Sequence, residues 1–169
     1  MSDYIFASLL VVHIIAIVGW MGAAFLFSSV LGPSLDHMEP VARSEFLVKV
    51  VPRYMRYIAM TSVLAVIFGV GLYAYAASSS ALPRTGSSAL LLLQAGAGMG
   101  LIALILAFVI VLPSGRTLTR LITEGRNGPP PQGQADIIIR TQQRMRMASA
   151  AISALLLLVL ILMVLGATL

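Results

Sequence analysis

The run Tyr4-Ile-Phe-Ala-Ser-Leu-Leu-Val-Val-His13-Ile-Ile-Ala-Ile-Val-Gly-Trp20-Met-Gly-Ala-Ala-Phe-Leu-Phe27-Ser-Ser29 decides the fold. As a helix it is long enough to cross a hydrocarbon core of about 30 Å, which takes roughly 20 residues. Its one histidine is His13, and the only tryptophan, Trp20, follows about two turns later on the same face. A titratable group inside a membrane span is costly and by default marks a functional site.

Three more runs of this kind follow, at 55–77, 88–112 and 147–168, and the first spans 4–29. The chain has 169 residues, 59% hydrophobic and 10% charged, with a mean hydropathy of +0.99. No soluble domain of this size carries such a surface. The expectation is one transmembrane domain over 1–169, an all-α integral membrane four-helix bundle with long loops at 30–54 and 113–146. The first run has no basic segment before it and exceeds the apolar core of a signal peptide, so it is read as a retained span.

Four spans put both termini and the 78–87 loop on one side. Arg43, Lys49, Arg53 and Arg56 lie in or beside the first long loop, and Arg116, Arg120, Arg126, Arg140, Arg144 and Arg146 in the second, leaving Arg84 alone on the other side. The positive-inside rule makes the basic side cytoplasmic, with the termini on the non-cytoplasmic side of a plasma membrane. The net charge of +5 is then topology and lipid contact, not a nucleic-acid footprint. The absence of cysteine excludes disulfides, iron-sulfur clusters, thiolate zinc sites and covalent haem attachment.

Gly32-Pro33 is expected to end the first helix, and 34–52 to form a short amphipathic helix at the inner interface, with Pro40 in its first turn and Pro52 opening the next helix. The third helix keeps an apolar period past Pro113 to about Glu124. Residues 127–133 form a linker. A last helix begins near Ala135, with Arg140 one turn beyond Asp136 as its partner. Small residues at that helix's inner end (Ala148, Ser149, Ala151, Ser153) should pack tightly, and the leucine-rich remainder should meet lipid or another subunit.

His13 lies about 13 Å below the outer surface. Gln94 and Gly96 on the third helix and Gly69 and Gly71 on the second fall at a similar depth, and Gly96 with Gly100 makes a GxxxG pair. An imidazole for iron, beside glycines where side chains would strike a flat ring, suits haem b. Trp20 would be the floor of that site, and Arg84, the serines at 78–80, Tyr73 and Tyr75 could meet the propionates. The same features also suit a histidine that hydrogen-bonds a facing side chain and glycines that serve helix packing. His37, beside Asp36 and Glu39, is either a weak surface metal site or a solvated histidine. It stands at the opposite membrane face, about 30 Å away, and cannot share a metal with His13. A sixth iron ligand must be a methionine, a partner subunit's His13, or none. No Ser-His-acid set, phosphate-binding loop or HExxH occurs, and no acidic residue lies within a span, which argues against a carboxylate-based pump.

His13-Ile-Ile-Ala-Ile-Val-Gly-Trp20-Met-Gly-Ala-Ala-Phe-Leu-Phe27 resembles the first helix of small membrane proteins that include HemJ-type protoporphyrinogen oxidases and CopD-like membrane domains. The four-span layout and the arginine-rich stretch after the third span are also similar. The resemblance implies a helical bundle that binds b-type haem through the residue at His13. The HemJ-type enzymes carry a Leu-Pro-Arg where this chain has Phe27-Ser28-Ser29-Val30-Leu31, and a lysine near the start of a later helix where Gln94 stands here. Haem binding, in electron transfer or redox sensing, is therefore expected ahead of porphyrinogen oxidation, in a homodimer served by a redox partner protein. The alternatives are a porphyrinogen oxidase-like enzyme, a copper-handling domain with Met163 near its outer face, and a cofactor-free assembly subunit.

Overall fold

The computed structural model describes residues 2–78, 87–126 and 133–168. Among them there is no strand, and the chain forms four helical rods. The first is α1 (Ser2–Leu26), a π-helical turn (Phe27–Leu31) and α2 (Gly32–Asp36). The second is α3 (Pro40–Ser78). The third joins α4 (Ser88–Leu106), a π-helical turn (Ala107–Val111) and α5 (Leu112–Arg126), and the fourth is α6 (Gln134–Thr168). All four are long and apolar enough to cross a membrane. Helices suit such sequences because lipid offers no partners for backbone groups, so each segment must satisfy its own.

Gly32-Pro33 does not end the first helix. Proline lacks an N–H, and its ring presses on the carbonyl four residues back. Here the turn before it widens, and the Gly32 N–H donates to the Phe27 carbonyl five residues back. The same solution recurs before Pro113, where the Leu112 N–H donates to the Ala107 carbonyl. A π-turn absorbs the mismatch and lets the helix run on. The first rod therefore ends at Asp36, and the chain reverses in a tight turn at 37–39, where the His37 N–H reaches the Ser34 carbonyl. Pro52 sits inside α3 and opens no new helix. The expected separate interfacial helix over 34–52 is thus replaced by the end of α2, the turn, and the first turns of a span helix. Continuation of the third helix past Pro113 and the start of the fourth near Ala135 agree with the sequence reading. Ser87 caps α4, its hydroxyl accepting from the Leu90 N–H at 3.3 Å. Gly133, at φ +83°, takes the left-handed conformation before α6, which glycine adopts without strain.

The main pairings are α1 with α3 and α4 with α6; α6 also packs on α1 and α5, and α3 on α5. Buried stripes recur at three- and four-residue spacing, as at Ala16, Trp20 and Ala24 on α1, and Met145, Ala148, Ile152 and Leu156 on α6. Outward-facing Ile15, Val18, Ile67, Val70, Leu101 and Val164 are half or more exposed, as a lipid-facing surface requires. The contiguous core occupies the basic half of the bundle. Towards the termini it stops at Ala16, Ala65, Ala103 and Leu156. Beyond that level, close packing is found within pairs: α1 on α3 at His13, and α4 on α6, where Gly96 meets Val159 and Met163 and Gly166 meets Ala89 and Leu93.

Polar ties lock the basic end. The Tyr54 hydroxyl lies 3.0 Å from the buried Ser149 hydroxyl, and its ring stacks on Phe27 at 4.5 Å. Arg43 donates to Gln142, Arg146 pairs with Asp36 at 3.2 Å, and the Gln134 amide donates to the Leu121 carbonyl at 2.8 Å. Arg146, not the expected Arg140, is thus the arginine of α6 that finds an aspartate, and Asp136 makes no ion pair with Arg140 among the described residues. Ala148 and Ser149 are buried as expected of the small inner end, whereas Ala151 is exposed.

Candidate functional site

His13 lies in the interface between α1 and α3 with 9% of its surface exposed. Its Nδ1 stands 2.7 Å from the carbonyl oxygen of Ala65. A carbonyl only accepts, so Nδ1 carries the proton and Nε2 keeps its lone pair. Gly69, one turn beyond Ala65, makes room for the ring: a Cβ there would stand 2.8 Å from His13 Cε1 and 3.3 Å from Nδ1. The chain thus fixes the imidazole at two points, a carbonyl that sets tautomer and tilt and a glycine that admits the ring edge. A metal-binding histidine is oriented in the same way, by donating its other ring N–H to a carbonyl or carboxylate. Among the described residues Nε2 has no hydrogen-bond partner.

The other residues expected around His13 separate into two groups. Gly71 lies in the same helix pair, its missing Cβ facing Leu9 at 3.7 Å. Trp20 is 1% exposed, two turns deeper at the head of the core, and its indole N–H is buried without a partner among the described residues. Gly96 packs instead against α6, 3.2 Å from Met163 Cγ. Gln94 faces outward, and Gly100 meets nothing within 4 Å, so only the first glycine of the GxxxG pair is used in packing. The expected ring of His13, Gln94 and glycines therefore belongs to two helix pairs, with His13 and Gly69 in one and Gly96 in the other. Arg84 lies outside the described residues, as do Ser79 and Ser80. The Tyr75 ring lies tilted against Phe6, centroids 5.9 Å apart, while Tyr73 is half exposed. His37 is exposed at the opposite end. Asp36 is engaged by Arg146, and among the described residues no group of three His, Asp or Glu side chains is placed to hold a metal ion.

Two features were not visible in the sequence. The partner of His13 is a backbone carbonyl, and Ala65 carries no side-chain signal. The second is a cavity of about 520 Å³ between the first π-turn and α6, lined by Ser28, Ser29, Gln143, Arg146, Met147 and Ala150. Its sequence signal is the proline that follows an apolar helix without ending it. Compared with known proteins, the chain matches no family model, no curated protein and no solved structure.

Proposed function

We infer that this chain is a membrane protein that binds haem b, with His13 Nε2 as one axial ligand, and that it acts in electron transfer or haem-linked redox sensing. One observation carries the inference: a buried membrane imidazole whose Nδ1–H is committed to the Ala65 carbonyl at 2.7 Å, leaving Nε2 as a lone-pair donor. The end of the common core at Ala16, Ala65, Ala103 and Leu156 supports placing the cofactor in the terminal half, where close packing runs within helix pairs. Bound haem would supply reversible one-electron exchange at its iron. The protein's own contribution is an imidazole oriented by the Ala65 carbonyl and seated in the Gly69 notch; the apolar residues around it would keep water out. Trp20 would close the site on the core side. Gln94 and Gly96 do not face His13, so a second subunit fits the role of completing the pocket, in a homodimer. The basic end is cytoplasmic on the positive-inside rule, which puts the site near the outer face of a plasma membrane.

A specific observation favours a second function, a cofactor-free membrane subunit. The imidazole edge itself fills the notch at Gly69, so His13 serves as an interhelical tie. Absorbance spectra of the purified protein, with and without dithionite, separate the two. The haem proposal expects a Soret band and a redox-dependent α band, both altered in His13→Ala. No Soret band after expression with ample haem overturns it, and a spectrum unchanged by His13→Ala removes His13 as ligand.

A further inference from the structure

We propose that the cavity between the first π-turn and α6 is a binding site for the phosphate of an anionic phospholipid in the leaflet at the basic end of the bundle. The cavity measures about 520 Å³, and no carboxylate lines it. Its polar lining consists of Arg146, the Gln143 amide and the hydroxyls of Ser28 and Ser29. Most of that capacity is hydrogen-bond donation. Arg146 contacts Asp36 through one nitrogen, Nη1, at 3.2 Å, and a guanidinium has five N–H donors arranged for phosphate or carboxylate oxygens. Ser28 donates to the Phe25 carbonyl at 3.1 Å, so Ser29 is the donor in the 3.5 Å contact between the two hydroxyls, a long bond that a closer phosphate oxygen can replace.

Position selects a lipid over a free anion. The site stands where the apolar face of α6 gives way to its arginines. Met147 on its wall is 72% exposed and Ala150 is exposed, so the cavity opens sideways towards the lipid-facing surface. Below it the exposed face of α6 continues through Leu157, Leu158 and Ile161, a track for an acyl chain. Basic pockets between transmembrane helices bind anionic head groups in this way. The π-turn builds the pocket: it widens α1 where Pro33 requires it and presents two serines, one buried and one exposed, opposite Ala150. Turns of this kind concentrate at functional sites. Arg146 is held in place from beneath, its Cδ resting 2.9 Å from where a Gly32 Cβ would be.

Native mass spectrometry of the full chain in neutral detergent, titrated with dioleoyl phosphatidylglycerol or dioleoyl phosphatidylcholine, tests the proposal. One phosphatidylglycerol is expected to bind at least tenfold more tightly than phosphatidylcholine. Arg146→Gln and the cavity-filling Ser29→Phe should each weaken that binding at least tenfold. Arg144→Gln, on the exposed face of α6, should change it less than twofold, and Asp36→Asn should strengthen it by releasing the guanidinium. Ser29→Phe leaves the Arg146–Asp36 pair in place, so it tests the site even if Arg146→Gln fails to fold. Equal binding of the two lipids, or Ser29→Phe behaving like Arg144→Gln, overturns the proposal. Displacement of phosphatidylglycerol by millimolar inorganic phosphate overturns the lipid assignment in favour of a free phosphate.

Discussion

Gly69→Ala isolates what the His13 notch contributes. The new methyl would stand 2.8 Å from His13 Cε1 and 3.3 Å from Nδ1, so the ring must swing away and lose its 2.7 Å bond to Ala65. Alanine in place of glycine inside a helix favours folding by about 0.8–1 kcal/mol. Stranding a buried polar group costs about 1–3 kcal/mol, with hydrogen bonds between membrane helices at the lower end, about 0.6 kcal/mol on average. Gly98→Ala supplies the propensity term alone, because nothing lies within 4 Å of its Cβ position. Gly69→Ala should therefore fall below Gly98→Ala by about 1–2 kcal/mol, the sum of the lost bond and the displaced ring. In a His13→Ala background the clash and the bond are both absent, so the difference should vanish, giving a coupling of the same size. Reversible unfolding in bicelles measures all four variants. If Gly69→Ala matches Gly98→Ala, or if its cost persists without the imidazole, the notch does not hold His13.

Tyr54→Phe leaves the buried Ser149 hydroxyl without its 3.0 Å partner and should cost about 1 kcal/mol; adding Ser149→Ala should recover part of it, since removing both partners is cheaper than removing one. Trp20→Ala should cost about 3–5 kcal/mol for the cavity it opens, whereas Trp20→Phe should cost far less, because it also removes an indole N–H that is buried without a partner among the described residues. Denaturant midpoints in detergent check both series, and a Trp20→Phe loss equal to that of Trp20→Ala would refute the second. Gly115→Ala should destabilise the α3–α5 contact by forcing Met55 and Val51 aside, and Met55→Ala in the same chain should relieve it; thermal melts of the single and double variants decide.

The four spans were legible because apolar length is a coarse property that lipid enforces on every residue. Helix ends were less so. Gly32-Pro33 and Pro52 look like breakers in sequence, yet in a membrane a broken helix exposes backbone groups that nothing can satisfy. A π-turn at the first proline and simple tolerance at the second keep the rods whole. Depth along a helix could be counted for His13, Gly69, Gly96 and Gln94, but the direction of each side chain depends on which helices are neighbours. With α4 set against α6, Gly96 turned to Met163 and Gln94 turned outward. Gly69 was expected at the depth of His13 as room for a flat ring; in the fold the imidazole itself occupies that room. The Ala65 carbonyl and the Arg146–Asp36 pair, joining segments far apart in the chain, had no local signature.

The core that stops at Ala16, Ala65, Ala103 and Leu156 makes the molecule a pair of tongs. Its grip at the basic end is fixed by aromatic stacking and buried hydroxyls, while its arms are two helix pairs, each closed by glycine contacts of its own. Spreading of the arms would leave the common core covered. Amide exchange should accordingly be fastest along the terminal halves of α1 and α4 and slowest around Tyr54 and Ser149.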